Sequence, residues 1–224
     1  MTKQVKAFIF DLDGVITDTA EHHFLAWQAL ANDLGITFTR EDNEELKGVS
    51  RMDSLDKILK LGGRENDFSL EEKNELAHKK NEHYLELIQS ITPKDILPGI
   101  EILLEKIKES GLKLALASAS KNAFTVMESL QLKDLFDVIV DSNTIKNGKP
   151  DPEIFLRAAE LVEIDPAECI GVEDAMAGVE AIKGAGMFAV AVGPKESFPH
   201  ADIVYETTGA LSFEDIMTHF QAQK

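Results

Sequence analysis

Four groups of residues carry side chains able to do chemistry together. They are Asp11 and Asp13 in FDLDG, Ser118 to Ser120 in LASAS, Lys149 in GKPDP, and Glu173 with Asp174 in GVEDA. Four carboxylates gathered at one place repel each other unless a cation compensates them. Hard divalent ions accept such oxygen ligands, and magnesium keeps several waters while binding carboxylates and substrate phosphate. A carboxylate can also attack phosphorus, dividing one difficult transfer into two easier ones. A lysine, a serine hydroxyl and backbone N–H groups then hold the charge on the transferring oxygens. A second carboxylate nearby can serve a hydroxyl as general acid and base.

Taken singly, each group has a plainer reading. Ser120, Asn122 and Asp174 stand where strands give way to helices, and such positions are commonly N-caps. DLDG alone suits a turn, and a calcium loop lacks its third alternating oxygen ligand because position 15 is Val. The conjunction of all four groups, each beyond a predicted strand, is what favours a site.

The elements that must position these groups are legible as short apolar runs followed by helical patterns. Residues 5–10, 112–117, 137–140, 169–172 and 187–192 read as buried strands. Ile100, Leu103, Leu104 and Ile107 mark one amphipathic helix, Phe155, Ala158, Ala159 and Val162 a second, and Ala175, Gly178, Val179 and Ile182 a third. Alternation of this kind predicts an α/β fold, a doubly wound (Rossmann-like) parallel sheet with helices on both faces. Such sheets bind ligands at the carboxyl ends of their strands. From 17 to 95 the periodicity is helical throughout, so the expected division is a core of residues 1–16 and 96–224 and an inserted all-helical domain of residues 17–95. Asp18 and Glu21 suggest a capping box opening the first inserted helix, which carries Phe24, Trp27, Ala31 and Leu34 on one face. A later helix centres on Ala77, Tyr84 and Ile88, with Lys80 and Asn81 at the intervening stripe positions. There Lys80 either packs its stem and sends its head to water or serves a function. His23, one turn before Trp27, has the same two readings.

The formal net charge of −17 excludes a general nucleic-acid binder, which needs a cationic footprint. It also means that an anionic substrate must be attracted by a few local cations or a metal. Cys169 is the only cysteine, so no intrachain disulfide can form, and its apolar setting suits a small buried hydrophobe. No window has the length and apolarity of a membrane span, and the N-terminus lacks a signal-peptide pattern, so the expectation is a cytoplasmic protein.

FDLDGV (10–15), the LASAS serines, GKPDP (148–152) and GVEDA (171–175) resemble, in order, the four motifs of the haloacid dehalogenase (HAD) superfamily. The inserted segment resembles that superfamily's helical cap. The resemblance implies Asp11 as nucleophile and Asp13 as general acid/base. It implies one Mg2+ held by Asp11, Glu173, Asp174 and the main-chain carbonyl of Asp13. Ser118, the Ala119 amide and Lys149 would hold the transferring phosphoryl group.

Within the superfamily, DLDGVITDTAEHHFLAW, LKGVSR (46–51), SASKN (118–122) and HKKNEHY (78–84) resemble the β-phosphoglucomutase family. The implied activity is interconversion of β-D-glucose 1-phosphate and glucose 6-phosphate, with β-glucose 1,6-bisphosphate as activator and intermediate. Arg51, Ser120, Lys121 and Asn122 would grip the phosphate that is not being transferred. Lys47, Gly48, Val49 and Ser50 would shape the sugar end, Trp27 would line it, His23 and Lys80 would position Asp13, and Thr19 would lie at the hinge. A surface ion pair from Arg51 to Asp53 or Glu45 is the alternative for that arginine, although GVSR opening a helix would favour an anion there. The expected partner is a small sugar phosphate bound by a monomer, without nucleic acid or membrane. Two other functions compete: a sugar-phosphate phosphatase with the same core motifs, and a non-catalytic phospho-acceptor domain, which would need neither the helical insert nor the acid at Asp13.

Overall fold

The structure, a computed structural model, describes residues 4–46 and 49–222. These residues form two compact units, Met1–Asp18 with Thr92–Lys224, and Thr19–Ile91.

The first unit holds one six-stranded sheet. Its strands are β1 (Ala7–Phe10), β2 (Lys113–Leu116), β3 (Val138–Ile139), β4 (Cys169–Glu173), β5 (Phe188–Val192) and β6 (Ile203–Tyr205). All pairings are parallel and the order is β3-β2-β1-β4-β5-β6. This is a doubly wound sheet, in which the chain winds outward in both directions from the first strand. The helices of the unit are α5 (Ile100–Glu109), α6 (Ala123–Ser129), α7 (Glu153–Leu161), α8 (Met176–Gly184) and α9 (Phe213–Ala222), their numbers continuing from the four of the second unit.

Residue size sorts the faces of the sheet. Ala7, Ile9, Ala115, Ala117, Ala189 and Ala191 lie in one buried cluster with Phe155, Ala158, Val179 and Ile182 of α7 and α8. Small residues on that face let two helices approach closely. The intervening residues Phe8 and Phe10 meet Phe213 and Phe136 at ring-centroid distances of 6.1 and 6.2 Å. β1, β4 and β5 are buried at every position, as expected of parallel strands covered on both sides.

The second unit is all helical: α1 (Ala20–Asp33), α2 (Arg40–Glu44), α3 (Arg51–Leu61) and α4 (Leu70–Leu87). Phe24, Trp27, Leu30 and Ala31 of α1 share a core with Leu55, Ile58 and Leu59 of α3 and Ala77 of α4. The Asp18–Glu21 capping box predicted for α1 is not formed. The helix begins at Ala20 with Thr19 as N-cap, and the Glu21 carboxylate pairs instead with the Arg40 guanidinium, Nη2 to Oε1 at 2.8 Å. Capping boxes do open α2 and α4, at Thr39–Asp42 and Ser69–Glu72.

The units divide at 18/19 and 91/92, where the sequence suggests 16/17 and 95/96. Hydrogen bonds account for the difference. Thr17 bridges to Asp13 and Ile96, its hydroxyl donates to Asp95 O at 2.7 Å, and Leu97 N donates to Ile16 O at 2.9 Å. Both ends of the insertion are thereby stitched into the sheet unit. Among the described residues no helix is long and apolar enough to cross a membrane.

Candidate active site

β1 and β4 are neighbours at the point where the winding of the sheet reverses, and in such folds ligands bind beyond the strand ends there. Their register pairs Phe10 with Val172, and Asp11 N donates to Val172 O at 2.9 Å. The next residues on the two strands, Asp11 and Glu173, therefore come side by side. Carboxylate oxygens of Asp11, Glu173 and Asp174 all lie within 4.8 Å of one another.

Lys149 partly neutralises this cluster. Its Nζ donates to Asp11 Oδ1 at 2.7 Å and to Glu173 Oε1 at 2.6 Å, with no exposed side-chain surface. Burial opposes the lysine's charge, but the Asp11 and Glu173 carboxylates outweigh it and hold the ammonium above the ordinary lysine range. Burial also raises the Glu173 carboxyl despite the pull of Lys149. The other Glu173 oxygen accepts the Asp174 and Ala175 amides, each at 2.8 Å, in the turn leading into α8.

Two glycines make room for these acids. A Cβ on Gly178 would fall 1.8 Å from Glu173 Oε1. A Cβ on Gly14, whose φ is +78°, would fall 2.0 Å from Asp174 Oδ2. Two hard carboxylates and a third beside them make a donor set that fits a magnesium ion, with the remaining positions left to water and phosphate.

The strand on the other side of β1 contributes the serine loop. Ala117 N donates to Phe10 O at 2.8 Å, carrying β2 on to a buried Ser118 beside Ala119. Ser118 Oγ accepts the Ser120 amide at 3.1 Å, and Ser120 Oγ accepts the Asn122 amide at 3.2 Å. Asn122 stands at the N-cap of α6 without its side chain capping that helix, and Ala175, rather than Asp174, is the N-cap of α8. Asn122 thus holds the capping position without a capping bond, whereas Asp174 lies one residue before the cap. Lys121 is exposed, and Asp13 is half-buried in the turn closed by Thr17.

The helical unit holds the other predicted residues. Lys80 is 3% exposed; its Nζ lies 2.8 Å from His23 Nδ1 and sits over the Trp27 and Tyr84 rings, 4.6 and 4.8 Å from their centroids. The ammonium head is thus held inside the unit instead of reaching water. An ammonium only donates, so His23 accepts at Nδ1 and carries its proton at Nε2. The His23 ring stacks on Tyr84 with centroids 4.1 Å apart. Burial first, then the charges of Lys80, Arg51 and His22, keep this histidine neutral to well below the usual pH. Arg51 opens α3 behind a Ser50 N-cap and donates from Nη2 to Asn81 Oδ1 at 2.8 Å, not to Asp53 or Glu45. Val49 and Ser50 are half-buried and Thr19 is buried, while Lys47 and Gly48 lie outside the described residues.

A family model described as haloacid dehalogenase-like hydrolase matches residues 5–186. The chain belongs to the haloacid dehalogenase-like hydrolase family. It is 51% identical over 210 residues to the β-phosphoglucomutase of Bacillus subtilis (strain 168), covering 94% of this chain and 93% of that one. It is 33% identical over 186 residues to a phosphorylated carbohydrates phosphatase of Thermotoga maritima, covering 82% of each. The crystal structure of β-phosphoglucomutase from Clostridium difficile superposes with a TM-score of 0.96 at 50% identity, covering 97% of both chains.

The HAD-type core motifs of this chain thus supply a pre-assembled acidic cluster with a buried lysine, and its helical insert carries the cations Arg51 and Lys80. Four residues at these places escape the sequence reading as contributors: Gly14, Gly178, Asn81 and Tyr84. Tyr84 and Gly178 are visible only as members of apolar helical stripes. Gly14 alone carries a usable signal, since a glycine closing a tight turn often marks positive φ.

Proposed function

We propose that this chain is a phosphomutase that interconverts β-D-glucose 1-phosphate and glucose 6-phosphate, with Asp11 carrying the phosphoryl group between them. The observation that carries this reading is the 51% identity to a β-phosphoglucomutase across nearly the full length of both chains. The Asp11–Lys149–Glu173–Asp174 cluster supports it chemically.

In this reading the phosphorylated Asp11 meets β-glucose 1-phosphate. Asp13 takes the proton of the sugar 6-hydroxyl as its oxygen attacks phosphorus and the bond to Asp11 breaks, giving β-glucose 1,6-bisphosphate. The bisphosphate turns around. Asp11 then attacks the phosphorus at position 1, and Asp13 returns a proton to the departing sugar oxygen, giving glucose 6-phosphate and the phosphorylated enzyme. Asp11, Glu173, Asp174 and the Asp13 carbonyl hold Mg2+, which when bound offsets the negative charge of the transferring group. Lys149, Ser118 and the Ala119 amide hold the oxygens of that group.

Arg51, with Ser120, Lys121 and Asn122, takes the phosphate at rest. Lys47, Gly48, Val49, Ser50 and Trp27 shape the sugar end, His23 and Lys80 orient Asp13, and Thr19 lies at the hinge. Two phosphate grips suit an intermediate that must bind in two opposite orientations.

The test supplies β-glucose 1-phosphate, magnesium and a trace of glucose 1,6-bisphosphate. Glucose 6-phosphate should accumulate, and rapid acid quench should trap a phosphoryl adduct on Asp11. Inorganic phosphate released at a comparable rate would make the chain a phosphatase, and an Asp11→Asn variant as fast as wild type would remove the covalent step.

A further inference from the structure

The chain has four arginines. Three of them pair with carboxylates: Arg40 with Glu21, Arg64 with Asp67 and Arg157 with Glu160. Arg51 differs. Its guanidinium is half-buried, and the group it donates to is the side-chain amide oxygen of Asn81, 30 residues on. In a chain of net charge −17, a half-buried guanidinium tied to a neutral partner is the exception among its four arginines. Because arginine has no acceptor, the Asn81 atom facing it must be oxygen, so the amide orientation is settled by its partner.

The distinction matters for what Arg51 can still bind. A carboxylate at this position would orient the guanidinium but also cancel its charge and compete with an incoming anion. An amide oxygen occupies one of five N–H donors and leaves the charge whole. Asn81 is also well fixed. It follows Lys80, whose head is clamped between His23, Trp27 and Tyr84, on the same turn of α4.

We propose that Asn81 is a positioning residue for Arg51, and that its neutrality preserves the affinity of this arginine for the substrate phosphate not being transferred. The inference rests on the phosphomutase reading above and deepens it at one residue.

Two variants separate charge from packing. Asn81→Asp keeps size and shape but adds a negative charge; Asn81→Ala removes the anchor but leaves Arg51 cationic. Steady-state isomerisation of β-glucose 1-phosphate should show KM raised about tenfold in Asn81→Asp and by a smaller factor in Asn81→Ala, with the change in kcat smaller than that in KM for both. Added salt should narrow the gap between the two variants, since it screens the added charge. If Asn81→Ala is the more damaged, or if neither KM moves, the proposal is overturned. Arg51→Ala, measured alongside, tells the two levels apart. A raised KM in Arg51→Ala with unmoved Asn81 variants defeats the positioning role alone, whereas an unmoved KM in Arg51→Ala defeats the phosphate grip itself.

Discussion

Gly178 leaves no room for a side chain because Glu173 already occupies the space: a Cβ there would lie 1.8 Å from the Glu173 Oε1 that bonds Lys149. In an ordinary helix interior, replacing glycine by alanine adds up to about 1 kcal/mol of stability. At this position of α8 the sign should reverse. Gly178→Ala is expected to lower the thermal midpoint and to weaken magnesium binding, measured by titration of the ion against intrinsic fluorescence. A variant at least as stable as wild type, with unaltered magnesium affinity, would show that Glu173 can move freely.

Lys149 is the counter-charge for two buried acids. Removing one partner of a buried ionic group leaves charge uncompensated, at a cost of about 3–5 kcal/mol. Lys149→Met should therefore unfold at a markedly lower temperature in chelator. Magnesium should recover more stability in this variant than in wild type, because the ion supplies charge the lysine no longer does. Equal shifts with and without magnesium would argue that the ion binds elsewhere.

The neutral His23 makes a pH prediction. Its folded form resists protonation, held down by burial and by Lys80, Arg51 and His22, while the unfolded chain takes up a proton near the ordinary value of about 6.5. Stability should thus be unaffected by this group above that pH and fall as pH drops below it, with a slope of at most about 1.4 kcal/mol per pH unit. Chemical denaturation of His23→Gln between pH 7 and pH 5 should show a shallower decline. An equal slope would mean that other groups set the acid sensitivity.

Cys169 starts β4, and burial with the nearby Asp165 and Glu168 carboxylates pushes its thiol up to about 12. It should resist alkylation by iodoacetamide in the native protein and react at once in denaturant. Rapid labelling of the native protein would place the thiol in an accessible, opened strand.

Five of the six strands are legible as apolar runs because the doubly covered sheet demands continuous burial. β6 escapes: it is three residues long, half-buried throughout and lies at an edge. α6 is seven residues long and α9 ends the described chain, and neither announces itself beside stronger periodic segments. The chemistry at Asp11, Lys149, Glu173 and Asp174 is readable since strand ends in a parallel sheet point one way. What stays hidden depends on approach distances. Gly178 looks like any small residue of a helix until Glu173 is seen folded against it. Asn81 looks like a polar interruption of a stripe until Arg51 is found at its oxygen. The misplaced start of α1 has a similar cause: Glu21 has a stronger partner in Arg40, 19 residues away.

The separation along the chain between Asp11 and its counter-ion has a consequence for biosynthesis. Asp11 leaves the ribosome ahead of its partners: Lys149 follows 138 residues later and Glu173 a further 24. The helical insert, complete by residue 91, can fold in the interval, whereas the first strand must wait for the chain that flanks it on both sides. A nascent chain halted before β4 thus carries a hydrophobic first strand that lacks at least one of its two neighbours, and that open edge is a natural target for a holding chaperone.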